Sequence, residues 1–167
     1  MFNRNFILAA VVIGFAISAQ PLRGEMPITI SAKVTKITDG DTFKVEYAGV
    51  GIPDTIRVKG IDCPESKANK KCKRDGETAC SLQIPKGKKA TERAKTLLDG
   101  QTIVLEPPGK FERDQNNRLL SYVRLKDGRD FGLVLIREGL CRDFGFRYPH
   151  PRAAEYRKAE KEAAKKK

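Results

Sequence analysis

Five short segments of this 167-residue chain alternate β-branched or aromatic residues with polar ones, and this pattern most constrains the fold. The predicted strands are Lys33–Ile37, Thr42–Tyr47, Thr55–Gly60, Gln101–Glu106 and Leu119–Leu125. Turn residues separate the first three strands, so we expect those strands to form a consecutive antiparallel meander.

Three helices are predicted from apolar periodicity and end signals. Lys88–Leu98 lies between the third and fourth strands, Phe131–Glu138 follows a capping Asp130, and a last helix opens at Pro151. Residues 66–85 have no periodicity and predict a loop. The order predicts a mainly β fold with α (α+β), a five-stranded OB-fold Greek-key barrel with three helices, whose face commonly binds nucleic acid.

The N-terminus predicts an export signal. Phe6–Ile17 is an unbroken apolar run, preceded by one positive charge and followed by small residues. The run is shorter than the roughly 20 residues that cross a bilayer, although an uncleaved anchor is the alternative. We expect a signal peptide at 1–19, a linker at 20–30 and one domain at 31–167, in a secreted or periplasmic protein.

The charge of the chain favours polyanionic partners. Lys and Arg number 33 against 21 Asp and Glu, which gives a formal net charge of +12. Much of the excess lies in Lys67–Lys89 and Arg152–Lys167. Such a patchy balance favours nucleic acid, anionic lipid or acidic glycans, and solubility alone is the alternative.

The cysteines predict disulfides rather than a zinc site. Cys63, Cys72, Cys80 and Cys141 form no CxxC pair, and His150 is the single histidine. An even number in an exported chain suggests two disulfides. Three pairings are possible. We favour Cys72–Cys80, which closes a short loop, together with Cys63–Cys141, which joins distant parts of the domain.

Carboxylates and arginines are expected to meet at one rim of the barrel. Asp41 ends the first hairpin turn and Asp62 follows the third strand, so with a nearby carbonyl they suit Ca²⁺ or Mg²⁺. Glu65, held close without ligating, is a candidate general base. Arg57 and Arg118 are candidates for clamping a phosphate and offsetting transition-state charge.

Each of these features has a plainer interpretation when taken alone. Asp39–Thr42 is typical of a hairpin turn, and Asp62–Glu65 of a turn with surface acids. Arg57 on a strand is commonly a solvent-facing residue, and Arg118 follows an Asn-Asn turn. Three acids and two arginines together on one small barrel are not explained by turns, and they favour phosphodiester chemistry.

Four motifs together resemble the staphylococcal (thermonuclease-type) nuclease family over most of the chain from Ser31 onward. They are Ile37–Thr42, Arg57–Glu65, Asp114–Arg118 and Val134–Leu140. The resemblance implies an OB-fold, Ca²⁺-dependent phosphodiesterase that cleaves DNA and RNA at the P–O5′ bond and leaves 3′-phosphates. No stable protein partner is implied, and we expect a monomer.

The resemblance also implies roles by position. They are Asp41, Asp62 and the main-chain carbonyl of Cys63 as Ca²⁺ ligands, Glu65 as the base that activates water, and Arg57 and Arg118 as the phosphate clamp. The family has threonine where Cys63 stands, but a carbonyl ligand survives that change. Asn116-Asn117 replaces an aromatic-glycine pair, and no base-stacking residue is predicted after Gly139.

Two other functions compete with a nuclease. One is a non-catalytic OB-fold protein that binds single-stranded nucleic acid through charge and stacking. An inactive descendant would be expected to lack Glu65 or an arginine, and all are present. The other is an exported structural protein held to acidic polymers by its basic tail, for which the acids would not be required.

Overall fold

The computed structural model describes residues 28–74 and 76–166 of the chain. The predicted signal peptide and most of the predicted linker lie outside these residues, so both stay predictions. Within the described ranges, no helix is long and apolar enough to cross a bilayer.

The described residues form seven strands and four helices. In chain order they are β1 Ile30–Asp39, β2 Thr42–Tyr47, β3 Pro53–Val58, β4 Ile61–Asp62, α1 Lys70–Arg74, α2 Glu77–Leu98, β5 Thr102–Glu106, β6 Leu119–Arg124, α3 Phe131–Arg137, β7 Arg142–Asp143 and α4 Ala153–Ala164.

Five of the strands close into a barrel in the order β1-β2-β3-β6-β5. All neighbours are antiparallel except β3 and β6, which are parallel. The predicted five-stranded α+β barrel and its antiparallel meander are confirmed. β4 and β7 pair separately as a two-stranded sheet beside the barrel.

The strand register gathers the polar rim. Thr42 at the start of β2 lies opposite Arg57 of β3, and Arg57 in turn lies opposite Leu120 of β6. Asp41 immediately precedes Thr42 and Arg118 immediately precedes β6. Backbone pairing alone therefore brings Asp41, Arg57 and Arg118 to one end of the barrel.

The barrel is filled by the alternate residues that the strand pattern predicts. The inward side chains, all at most 1% exposed, are Ala32, Val34, Phe43, Val45, Ile56, Val58, Ile103 and Leu105. Each large one contributes roughly 1.5–3 kcal/mol by leaving water. α2 covers one end with Ala90, Ala94 and Leu98, and Phe131 of α3 meets the Phe43 ring edge-on.

Both favoured disulfides are present in the structure. Cys63–Cys141 spans 78 residues of sequence and lies beside the β4–β7 pair. Cys72–Cys80 spans 8 residues and ties α1 to α2. Both bonds are largely buried.

The prediction for residues 66–85 was wrong. α1 lies inside the predicted loop, and α2 begins at Glu77, eleven residues before the predicted Lys88. The early turns of α2 carry few aliphatic residues, and Pro85 and Gly87 resemble helix breakers. The disulfide and the packing of α2 on neighbouring main chain supply tertiary stabilisation that overrides those local preferences. Four helices are therefore present in the described ranges instead of three.

Candidate active site

Asp41 lies at the turn between β1 and β2 and joins the barrel to the segment after β3. Its Oδ2 accepts a hydrogen bond from the main-chain N–H of Cys63 at 2.9 Å, and its Oδ1 accepts one from the Thr42 hydroxyl at 3.0 Å. A Cβ on the adjacent Gly40 would press on Ala90 of α2 and on the Cys63 side chain. The turn is therefore packed tightly, and the Asp41 carboxylate has a defined direction.

Arg57 lies between two buried carboxylates. Its Nη1 forms an ion pair with Oδ1 of Asp41, and its Nη2 lies 3.4 Å from Oδ1 of Asp62. Nη2 also donates to the carbonyl of Ile61 at 3.2 Å. Burial acts to lower the pKa of Arg57, but the charges of Asp41 and Asp62 outweigh it, so the pKa is raised. The guanidinium is therefore a permanent positive charge at the centre of the site.

Asp62 has a second arginine partner, which the sequence did not predict. Arg142 of β7 donates to Oδ2 of Asp62 from Nε at 3.2 Å and from Nη2 at 2.8 Å. The two residues are opposite each other in the β4–β7 pair, next to the Cys63–Cys141 disulfide. The only sequence signal for this contact was the position of Arg142 beside a cysteine predicted to bond to Cys63.

Arg118 approaches the same rim from the start of β6. Its Nε and Nη2 lie 2.7 and 2.6 Å from Oδ2 of Asp114, and its Nη1 donates to the Thr42 hydroxyl at 3.1 Å. Burial acts to raise the pKa of Asp114, but the hydrogen bonds from Arg118 prevail, and the pKa is lowered. The Thr42 hydroxyl donates in turn to Asp41, which is the ion-pair partner of Arg57. Thr42 and Asp41 therefore connect Arg118 to Arg57.

Asn116-Asn117, which replaces the aromatic-glycine pair of the resembled family, does not displace Arg118 from the rim. The Oδ1 of Asp114 accepts hydrogen bonds from the main-chain N–H groups of Asn116 and Arg118. Asn117 has φ of 59°, a left-handed conformation that asparagine tolerates better than most residues. Asn116 and Asn117 therefore lie in a tight turn that brings Asp114 close to Arg118.

Glu65 follows β4 and is half-buried. The Nδ2 of Asn69 donates to its Oε2 at 2.6 Å. Gly87 of α2 lies against the main chain of Pro64 and Glu65, where any Cβ would collide with the Glu65 carbonyl. The charge of Glu65 contributes to raising the pKa of Arg57. Glu65 is therefore within electrostatic range of the centre of the site.

Asp39 also stabilises the turn between β1 and β2. Its Oδ1 accepts hydrogen bonds from the Gly40 N–H at 2.9 Å and from the Thr91 hydroxyl of α2 at 3.0 Å. Burial raises the pKa of Asp39, hydrogen bonds from Gly40 and Thr91 only partly oppose this, and the charge of Asp41 adds to the increase. This carboxylate supports the turn through α2, a contact that the sequence did not predict.

The structure brings the six residues predicted for the site into one neighbourhood by different routes. Asp41, Arg57 and Asp62 are in direct contact, and Cys63 reaches Asp41 through its N–H. Arg118 joins through Thr42, and Glu65 through its charge on Arg57. The roles proposed for these residues stay predictions.

The donor set suits a hard divalent cation. Within residues 28–74 and 76–166, no three side chains of His, Cys, Asp or Glu form a metal-binding group. Two buried carboxylates, those of Asp41 and Asp62, direct their Oδ1 atoms at the same guanidinium. Carboxylate and carbonyl oxygens are the ligands of Ca²⁺ and Mg²⁺, so by donor type these two acids with the Cys63 carbonyl would suit such an ion.

A known family matches most of the chain. The model of the staphylococcal nuclease homologue family matches residues 55–167. This range contains Arg57, Asp62, Glu65 and Arg118, and Asp41 precedes it.

Curated relatives carry names of the same class. The thermonuclease of Staphylococcus intermedius is 32% identical over 157 residues, which cover 91% of this chain and 79% of that protein. Two Bacillus subtilis proteins, endonuclease YncB and the SPbeta prophage-derived endonuclease YokF, are each 34% identical over 113 residues, or 68% of this chain. The matched part spans 47% of YncB and 34% of YokF.

Proposed function

The chain belongs to the staphylococcal nuclease homologue family, and from this premise we propose that it is a Ca²⁺-dependent endonuclease. Its substrates are DNA and RNA, hydrolysed at the P–O5′ bond to leave 3′-phosphates. One observation carries the proposal: Arg57 is held between the buried carboxylates of Asp41 and Asp62. Glu65 lies within electrostatic range of Arg57, and Arg118 joins the site through Thr42.

The two arginines supply positive charge for a bound phosphodiester. Arg57 and Arg118 are oriented by Asp41 and Asp114 respectively, so little reorganisation is needed when charge develops on the phosphoryl oxygens. A guanidinium can donate two parallel hydrogen bonds to a phosphate. The Thr42 hydroxyl accepts from Arg118 and donates to Asp41, the ion-pair partner of Arg57, and so connects the two arginines indirectly.

Glu65 is the proposed general base. It accepts a proton from the attacking water, the oxygen bonds to phosphorus, and the 5′ oxygen leaves with the electron pair of the P–O5′ bond. Asp41, Asp62 and the Cys63 carbonyl would hold the Ca²⁺ ion, which supplies charge neutralisation at the phosphate.

Charge and disulfides support the proposed partners and compartment. A net charge of +12 favours nucleic acid as the substrate. Two buried disulfides suit an oxidising compartment, which supports secretion or export to a periplasm. We expect the protein to act as a monomer.

The chain without residues 1–19, incubated with DNA and RNA, tests the proposal. We expect cleavage with Ca²⁺, none in excess chelator, and products that carry 3′-phosphates. Glu65→Gln should lower turnover by about 10²-fold or more while binding of substrate is retained. Full activity in chelator would refute the metal dependence, and wild-type turnover in Glu65→Gln would remove Glu65 from the mechanism.

Exposed aromatic residues favour a second candidate, a protein that binds single strands without cutting them. Phe146 and Tyr148 are 68% and 56% exposed, and both rings contact Phe144. Bases stack on such surfaces irrespective of sequence. This candidate predicts no cleavage under any condition, with each lost positive charge reducing affinity to a similar extent.

A further inference from the structure

The side-chain amide of Asn69 makes two contacts of different kinds. Its Nδ2 donates to Oε2 of Glu65 at 2.6 Å. Its Oδ1 accepts from the main-chain N–H of Cys72 at 2.8 Å, in the first turn of α1. One amide thus caps α1 with its oxygen and holds the Glu65 carboxylate with its nitrogen.

The position of Asn69 depends on a cross-link. α1 is a single short helix of five residues, which has little stability of its own. Cys72, at most 1% exposed, is bonded to Cys80 of α2, so the disulfide fixes α1 and its cap against the long helix. Further along α2, Gly87 lies directly on the main chain of Glu65. The same segment therefore holds Glu65 by its side chain and by its backbone.

We propose that Asn69 is a positioning residue for Glu65, and that the Cys72–Cys80 disulfide keeps the amide of Asn69 in place. The inference rests on the proposed function, in which Glu65 activates the attacking water. Glu65 is half-buried and follows a two-residue strand, and the amide of Asn69 holds its Oε2 atom at 2.6 Å. A donor that holds one carboxylate oxygen sets the direction of the other, which is the kind of support that a base requires.

Two substitutions separate the contact with Glu65 from the helix cap. Ser and Asp both cap helices about as well as Asn, but neither can donate as an amide does. We expect kcat to fall about 10-fold in Asn69→Ser, the scale of one lost hydrogen bond to a charged group. The fall should be larger in Asn69→Asp, which places a second carboxylate beside Glu65.

A fall in kcat without a change in KM distinguishes a positioning role of Asn69 from a role as a helix cap alone. KM and the thermal midpoint should stay close to wild type in both variants, because substrate contacts and the cap are retained. Ser81→Ala removes an exposed hydroxyl that bonds to the Glu77 carbonyl in α2, and it serves as the matched control with wild-type kcat. If Asn69 acts only as a cap, Asn69→Ser and Asn69→Asp have wild-type kcat and only Asn69→Ala loses stability, which overturns the proposal.

A double-mutant comparison tests the disulfide. Replacing Cys72 and Cys80 together by Ala should lower kcat with little change in KM. The same replacement in the Asn69→Ser background should lower kcat no further, since the amide it holds is already absent. Losses that simply multiply would overturn the link between the disulfide and Asn69.

Glu65→Gln, measured in parallel, separates this inference from the proposed function. If Glu65→Gln is inactive while Asn69→Ser and Asn69→Asp match wild type, only the inference on Asn69 is wrong. If Glu65→Gln cleaves as fast as wild type, Glu65 is not the base and Asn69 has no base to position. If neither the wild type nor any variant cleaves DNA or RNA, the proposed function itself is wrong.

Discussion

The two halves of the candidate active site are held in place by different means. The barrel half consists of Asp41, Arg57 and Arg118, which the strand register brings to one rim. The cross-linked half consists of Asp62, Cys63 and Glu65, on or just after a strand of only two residues. That strand depends on pairing with β7, on a disulfide across 78 residues and on contacts from the segment 69–87.

This difference shows that one site can position its side chains in two ways, by strand register and by cross-links. A hydrogen-bonded barrel places the backbone of its residues through many weak contacts, so the loss of any one backbone contact should matter little. Cross-links place side chains through a few strong contacts, so single distant residues matter. We therefore expect the cross-linked half to be the more sensitive to changes far from the reacting atoms.

The largest expected effect is on the cross-linked half, from replacing Cys63 and Cys141 together by Ala. In the chain-entropy model, a loop closed across 78 residues stabilises the fold by about 4.5 kcal/mol. The matched control is the double replacement of Cys72 and Cys80, whose short loop is worth about 2.5 kcal/mol on the same scale. Denaturant unfolding measures both, and equal losses would contradict the distinction between the two disulfides.

The next effect is on the barrel half, from Arg118→Ala. If Arg118 stabilises charge in the transition state, kcat should fall about 10²-fold, while substrate affinity changes less. Steady-state kinetics on a defined oligonucleotide measure the two constants separately. Wild-type kcat in this variant would show that the arginine does not contact the reacting phosphate.

A smaller effect should follow from Asp114→Asn, which keeps the shape of the Arg118 partner but removes its charge. We expect kcat to fall about 10-fold because Arg118 loses its orientation. The lowered pKa of Asp114 also contributes stability that is present above its ordinary value of 3.8 and is lost as pH falls through the lower folded value. The variant should therefore lose less stability on acidification. An unchanged acid unfolding curve would argue against this ion pair.

The smallest effect is expected outside both halves, from replacing Lys165 and Lys166 together by Gln. Both side chains are exposed at the end of α4, so they would contribute to substrate binding only through release of counterions. The slope of log affinity against log salt should flatten by about 2, while kcat at saturating substrate stays at wild type. A fall in kcat would mean that the tail takes part in the chemistry.

The sequence was sufficient to predict the barrel half because strand periodicity and turn residues are local signals. The spacing of Asp41, Arg57 and Arg118 along the predicted strands already places them at one rim. The cross-linked half was harder to predict from the sequence. A strand of two residues has no measurable period, so neither β4 nor the contact of Arg142 with Asp62 could be predicted. Asn69 and Gly87 lie where local preferences favour a loop, and only the folded contacts give them a role.

Gly87 has a consequence for how this protein tolerates change. In the middle of a helix, glycine is less favourable than alanine by roughly 1 kcal/mol, so Gly87→Ala resembles a routine stabilising substitution. Here the methyl group would push the main chain of Glu65 out of place. A substitution at Gly87 that stabilises the helix would thus displace the proposed base. A library sorted for thermal resistance and a library sorted for cleavage should therefore diverge at this position.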